Sequence, residues 1–299
     1  AIGMEAGREH DSSAINTVAI GYYAGRTNQQ AGSVALGKRA GELTQKVGSV
    51  AVGEAAGYNV QDERAIAIGA SAGHKQQGIE ATAVGYRAAW EYQETHAVAV
   101  GARAGMEKQQ YQAVAIGHYA GASGQSFKSV AIGAQAGQSF QKEDAVAIGT
   151  DAGSTGQYTQ TVAIGKEAGQ FRQDIHGIAI GSNAGNFVQG SKSVALGYLA
   201  GQSGLGDYSI AIGFATQTNC GATEGTSSVA IGAYAGYLYQ GANSIAIGSR
   251  AGMSGQSAQS IVLNASGSAL HGKEGSGFYV KPIASKVPAY SNILYYNDA

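Results

Sequence analysis

The stretch Ser129–Asp144 reads SVAIGAQAGQSFQKED, and Ala145–Gln160 follows it as AVAIGTDAGSTGQYTQ. Aligned, the two share Val-Ala-Ile-Gly, then Ala-Gly three and four places after that glycine, then glutamine eight places after it. The pattern extends in both directions. Its motif glycines are Gly3, Gly21, Gly37, Gly53, Gly69, Gly85, Gly101, Gly117, Gly133, Gly149, Gly165, Gly181, Gly197, Gly213, Gly232 and Gly248, with Asn264 in the next slot. The spacing is 16, except 18 between Gly3 and Gly21 and 19 between Gly213 and Gly232. The alanine recurs from Ala24 to Ala251, broken at Thr216, and the second glycine is replaced at Ala89 and Gln217. The glutamine column runs Gln29, Gln45, Gln61, Gln77, Gln93, Gln109, Gln125, Gln141, Gln157, Gln173 and Gln189, and returns at Gln240 and Gln256. The remaining positions of each unit vary.

A repeat of this period is the signature of a stacked architecture. Val-Ala-Ile is too short for a helix and alternates aliphatic residues, and the glycine after it supplies a sharp bend. Sixteen residues accommodate two short strands and two turns. One unit cannot bury its own apolar face, but stacked units can. The expected fold is therefore all-β: a parallel β-solenoid with 16-residue rungs, forming a rod roughly 80 Å long at the usual strand spacing. The glutamine column fits a ladder in which each amide bonds those above and below it. Variable columns read as surface: Arg64 lies one rung from Glu80, and Lys128 one rung from Asp144, pairs contributing only tenths of a kcal/mol. The expected organisation is a shaft over residues 1–269 and a non-repeating capping segment over 270–299, where both prolines, Pro282 and Pro288, fall.

Valine and isoleucine of each strand point one way and alanine the other. Neither face carries charge in any rung, and a strand apolar on both faces is buried on both. One face fills the thin roll. The other would leave an apolar stripe larger than a soluble monomer exposes, so the chain is expected to self-associate about the rod axis.

Composition excludes several classes. Glycine is 47 of 299 residues and only 13% of the chain is charged, while net charge is −1. No basic footprint points to nucleic acid. No apolar run reaches the ~20 residues of a membrane span, and none reads as a signal peptide. The chain opens in mid-pattern at Ala1-Ile2-Gly3, as a piece of a longer protein would. One cysteine, Cys220, excludes an intrachain disulfide framework. The glycines lack the three-residue period of collagen.

Ser33-Val34-Ala35-Leu36-Gly37 and Asn243-Ser244-Ile245-Ala246-Ile247-Gly248 resemble the head repeat of trimeric autotransporter adhesins. That resemblance implies a left-handed β-roll, a homotrimer, and binding to a host surface. The tail, Gly277-Phe278-Tyr279-Val280-Lys281-Pro282-Ile283 and Asn292-Ile293-Leu294-Tyr295-Tyr296-Asn297, resembles a segment that follows such repeats in fibre proteins of large DNA viruses and phages. Together they imply a structural fibre shaft, on a virion surface or an extracellular cell surface, that presents a host-binding module. The alternative is an adhesin head whose rod binds a host glycan or protein directly.

Enzyme chemistry is not expected. His96 and His176 share a column five rungs apart, and Asp174 near His176 reads as a solvated turn. No HExxH, paired CxxC or P-loop occurs, so no catalytic residue, metal or cofactor is expected. Two irregular rungs remain. The rung from Gly85 carries Ala89, Trp90, Glu91 and Tyr92, and Trp90 and Tyr92 either stack on sugar rings or cover a turn. The rung from Gly213 carries three extra residues and Cys220, read as a bulged loop.

Overall fold

The computed structural model describes residues 1–9, 15–218 and 225–283. They form an all-β parallel solenoid. The Val-Ala-Ile strands stack into one seventeen-stranded sheet. Each pairs in parallel with its equivalent one rung on: Val34 with Val50, Ala131 with Ala147, Ile148 with Ile164. Even across the 19-residue rung the register holds, with Ile210 opposite Val229. The extra residues, Cys220 among them, fall in 219–224, outside the described residues. A second strand ends each rung's other side at the glutamine slot. It forms two four-stranded sheets, from Thr44–Gln45 to Tyr92–Gln93 and from Thr155–Gln157 to Ser203–Leu205. Isolated bridges such as Gln93 with Gln109 and Ser139 with Thr155 continue the stacking between them.

The motif glycine is required by stacking. Gly133 has φ +127°, and a Cβ there would sit 2.6 Å from the carbonyl oxygen of Gly149 in the next rung. The second glycine makes room within its own rung: a Cβ on Gly137 would meet the Gln141 amide oxygen at 2.6 Å. Further positions in each rung hold left-handed backbone on ordinary residues, as at Gln135 (φ 57°), Phe140 (φ 57°) and Asp144 (φ 53°). The sequence marks these positions only as variable. Their strain is offset by inter-rung bonds that the turns themselves make, Gln135 N–H to His118 C=O at 2.8 Å among them.

The first strand's two faces divide unequally. Its alanine, and the alanine three places after the glycine, are fully buried in every regular rung. Its valine and isoleucine point outward and stay partly exposed, Leu36 at 42% and Ile116 at 39%. The interior is thus methyl groups and amides, and the largest fully buried side chains are all glutamines. The roll is too thin for branched aliphatics; among glutamine slots only Leu205 places one inside.

The parallel ladder does not stop at residue 269. Phe278–Lys281 pairs in parallel with Ile261–Asn264, seventeen residues away. Here Val262 replaces the alanine and packs with Leu270 and Tyr279, so the roll closes on bulkier side chains. A strand can join the ladder without the repeat motif because pairing uses backbone groups. Residues 284–299, including Pro288, Tyr290, Tyr295 and Tyr296, lie outside the described residues.

Candidate functional site

The second strand aims its glutamine inward and the flanking residues outward. Each glutamine Nε2 donates across the roll to the first-strand carbonyl eleven residues earlier, Gln109 to Val98 at 2.8 Å and Gln125 to Val114 at 2.7 Å. Most also donate to the carbonyl four residues on, as Gln109 does to Ala113 at 3.2 Å. Nε2 then reaches the Oε1 of the next rung's glutamine. Ten such bonds run unbroken from Gln29 to Gln189 at 3.0–3.3 Å. The ladder breaks at Leu205 and restarts at Gln217, whose Nε2 donates to Gln240 Oε1 at 2.7 Å. Gln217 occupies the slot of the second glycine in a rung whose usual glutamine slot holds Gly221. Its amide therefore enters the same interior from four residues earlier. Sequence reading registered Gln217 only as a departure; the paired loss of glycine and glutamine was the available signal. The Gln217 Oε1 is buried without a donor among the described residues, as expected above a leucine.

The structure places Trp90 and Tyr92 in different surroundings. Trp90 is half-buried in a stack of residues five places after successive motif glycines: Tyr58, His74, Trp90. Ring centroids are 4.9 Å apart for Tyr58–His74 and 6.1 Å for His74–Trp90. Cations flank the stack: Arg39 lies 4.8 Å from the Tyr58 ring, Lys75 and Arg87 5.1 and 5.5 Å from the Trp90 ring. Burial, then the charge of Lys75, pushes the His74 imidazole below its usual pKa. A hydrogen bond to Glu91 holds the Lys75 ammonium above its own.

Tyr92 points instead into a groove of about 540 Å³ on the second-strand side, lined from the rungs of Gly53, Gly69, Gly85 and Gly101. Tyr111, Glu94, Gln110, Lys108 and Asp62 also line it. The Tyr111 N–H donates to Glu94 Oε2 at 3.0 Å. Asp62 pairs with Lys46.

Surface charges pair along columns, one rung apart. Arg64 meets Glu80 at 2.8 Å and Lys38 meets Glu54 at 3.0 Å, whereas Lys128 and Asp144 form no ion pair. Among the described residues Glu42 is the one buried acid, held by Arg39 at 2.5 Å and Arg26 at 3.4 Å. His96 bonds Glu80 at 3.2 Å, and Asp174 faces Arg172 rather than His176. Among the described residues no group of three or more His, Cys, Asp or Glu is placed to hold a metal ion. No helix there is long and apolar enough to cross a membrane.

This geometry defines a β-roll repeat protein with an adhesin-like architecture. The YadA head domain repeat, in two copies, matches residues 205–235. That span includes the 19-residue rung from Gly213. No curated protein and no solved structure matches the chain.

Proposed function

We propose that the chain is the shaft of a homotrimeric surface fibre that holds a host-binding module away from a virion. The observation that carries this reading is the outward valine–isoleucine face. Val18, Leu36, Ile68, Ile116, Leu196, Ile231 and Ile247 lie in one stripe down the seventeen-stranded sheet, each exposed by 37–42%. A continuous apolar stripe of that length needs a partner along its whole length. Another copy of the same regular rod supplies one, and closed rotation about the rod axis leaves no stripe uncovered. Three copies follow the arrangement of the adhesin heads the repeat resembles. The fibre origin is supported by the tail around Phe278–Ile283, and the same segment is proposed to cap the open end of the ladder, an exposed pairing edge otherwise.

A second reading is a bacterial trimeric autotransporter adhesin head, in which the rod itself touches the host. The match to the YadA head repeat favours it. Coding sequence downstream of Ala299 separates the two: a chaperone domain that assembles the trimer means a viral or phage fibre, a membrane anchor means an adhesin. Both readings require the trimer. Light scattering under native conditions is expected to give three times the 30.2 kDa chain mass; a soluble monomer at micromolar concentration overturns both.

A further inference from the structure

We infer that the groove at Tyr92 and Tyr111 is a binding subsite for a short neutral oligosaccharide, built into the shaft itself. The inference goes beyond a spacer role and does not depend on which surface carries the fibre.

The groove lies on a face that the apolar stripe leaves free. Gln93 and Gln109 point inward and donate across the roll to the carbonyls of Thr82 and Val98. Their neighbours Tyr92, Glu94, Lys108 and Gln110 therefore point outward from the opposite wall to the one bearing the valine–isoleucine stripe. Packing through that stripe leaves the groove on the outside of the assembly. Its volume of about 540 Å³ falls within the range of small-ligand clefts, roughly 300–1,000 Å³.

Its chemistry suits a polyol. Two phenol rings from adjacent rungs offer flat apolar faces for the C–H faces of sugar rings, with Tyr92 48% exposed. Hydrogen-bonding groups of both kinds surround them. Lys108 donates and Glu94 accepts. The Gln110 side-chain oxygen is buried at the groove with no donor among the described residues. A buried acceptor without a donor is costly, and a turn of the Gln110 amide toward the groove lets a sugar hydroxyl satisfy it. The charges disfavour acidic sugars: the lining carries two carboxylates, Glu94 and Asp62, against the single ammonium of Lys108. The lining has no deep aliphatic pocket for a peptide side chain. Trp90 is not part of the lining; it is engaged with His74, Lys75 and Arg87.

One groove this open binds weakly, and three copies on one rod bind a glycan-coated surface by avidity. The test applies the intact assembled protein to an array of neutral gluco-, galacto- and manno-oligosaccharides alongside sialylated and sulfated ones. The strongest neutral glycan is then titrated by saturation-transfer NMR. Binding is expected only to neutral glycans, falling at least tenfold in Tyr92→Ala and in Gln110→Ala and unchanged in Trp90→Ala. Each variant's thermal unfolding is recorded first, and if Tyr92→Ala does not fold, Gln110→Ala decides. A blank array, a preference for sialylated or sulfated glycans, or binding that survives Gln110→Ala overturns the subsite. Light scattering on the same sample reports the trimer independently, so an intact trimer with a blank array removes the groove and leaves the fibre.

Discussion

At the scale of single residues, the two glycines of the repeat do different work. Gly133 stacks directly on Gly149, so any Cβ meets backbone that cannot move without the whole ladder. Gly137 faces the tip of its own rung's glutamine and, less closely, the Ala131 methyl at 3.2 Å. The rung from Gly85 already shows the second site tolerating a methyl group: Ala89 is fully buried there at φ 46°, and Gln93 still bonds Gln109 at 3.0 Å. Gly133→Ala is therefore expected to cost several kcal/mol and Gly137→Ala about 1 kcal/mol, given the usual range for strained backbone. Urea unfolding of the two variants checks the order; equal midpoints would contradict the stacking argument.

At the scale of the element, the glutamine ladder is a wire of amides running through the roll interior. Within the unbroken run each amide donates both across the roll and to the next rung, and its oxygen accepts from the rung before, so charge and shape are separable by substitution. In Gln109→Leu the shape is kept, as at Leu205, and the Gln125 oxygen loses its donor; the expected cost is about 1–3 kcal/mol. In Gln109→Glu a carboxylate faces the Val98 carbonyl and the Gln125 Oε1 with no proton to offer. It is expected to cost more than the leucine, about 3–5 kcal/mol at neutral pH. Burial raises that carboxyl's folded pKa above its unfolded value, so the folded state binds more protons and the deficit shrinks as pH falls through the carboxylic acid range. Thermal melts at two pH values distinguish the variants. The Tyr58–His74–Trp90 stack titrates with the same logic and its own sign. Folding depresses the His74 pKa, through burial and then through Lys75, Arg39 and Arg87. Below the unfolded imidazole value the unfolded chain binds the extra proton, so stability falls on acidification toward pH 5. His74→Phe keeps the ring stack and is expected to flatten that part of the pH–stability profile; an unchanged slope would exclude His74 as its source.

At the scale of the whole molecule, a rod with an interior of alanine methyls and amides buries little apolar area per residue inside one chain. Its aliphatic side chains are on the outside, where only association would bury them. In the proposed trimer, stability and assembly are then the same process. Ile116→Asp with Leu196→Asp places two carboxylates in the stripe without touching the roll interior. Sedimentation is expected to show loss of the trimer with a lower unfolding temperature, while Tyr239→Asp, on an exposed turn residue at 58%, leaves both unchanged. Retention of the wild-type mass by the stripe variant would place the interface elsewhere.

The repeat, its period and its parallel stacking are determined by the sequence alone, because a motif spaced by 16 can satisfy its backbone only by pairing with its own equivalents one rung away. The same reading shows a strand apolar on both sides and an aromatic break near Trp90. What the tertiary structure decided is direction and neighbourhood. Alternation gives two faces but not which is inside; the thinness of the roll puts alanine inside and valine and isoleucine out. Spacing places Trp90 and Tyr92 two residues apart, yet one turns into a cation-flanked stack and the other into a groove completed by Tyr111 and Gln110 of the next rung. Gln217 and Phe278–Lys281 join the ladder from outside the repeat pattern, since an interior amide and a backbone edge are filled by whatever group reaches them, from any position in the chain.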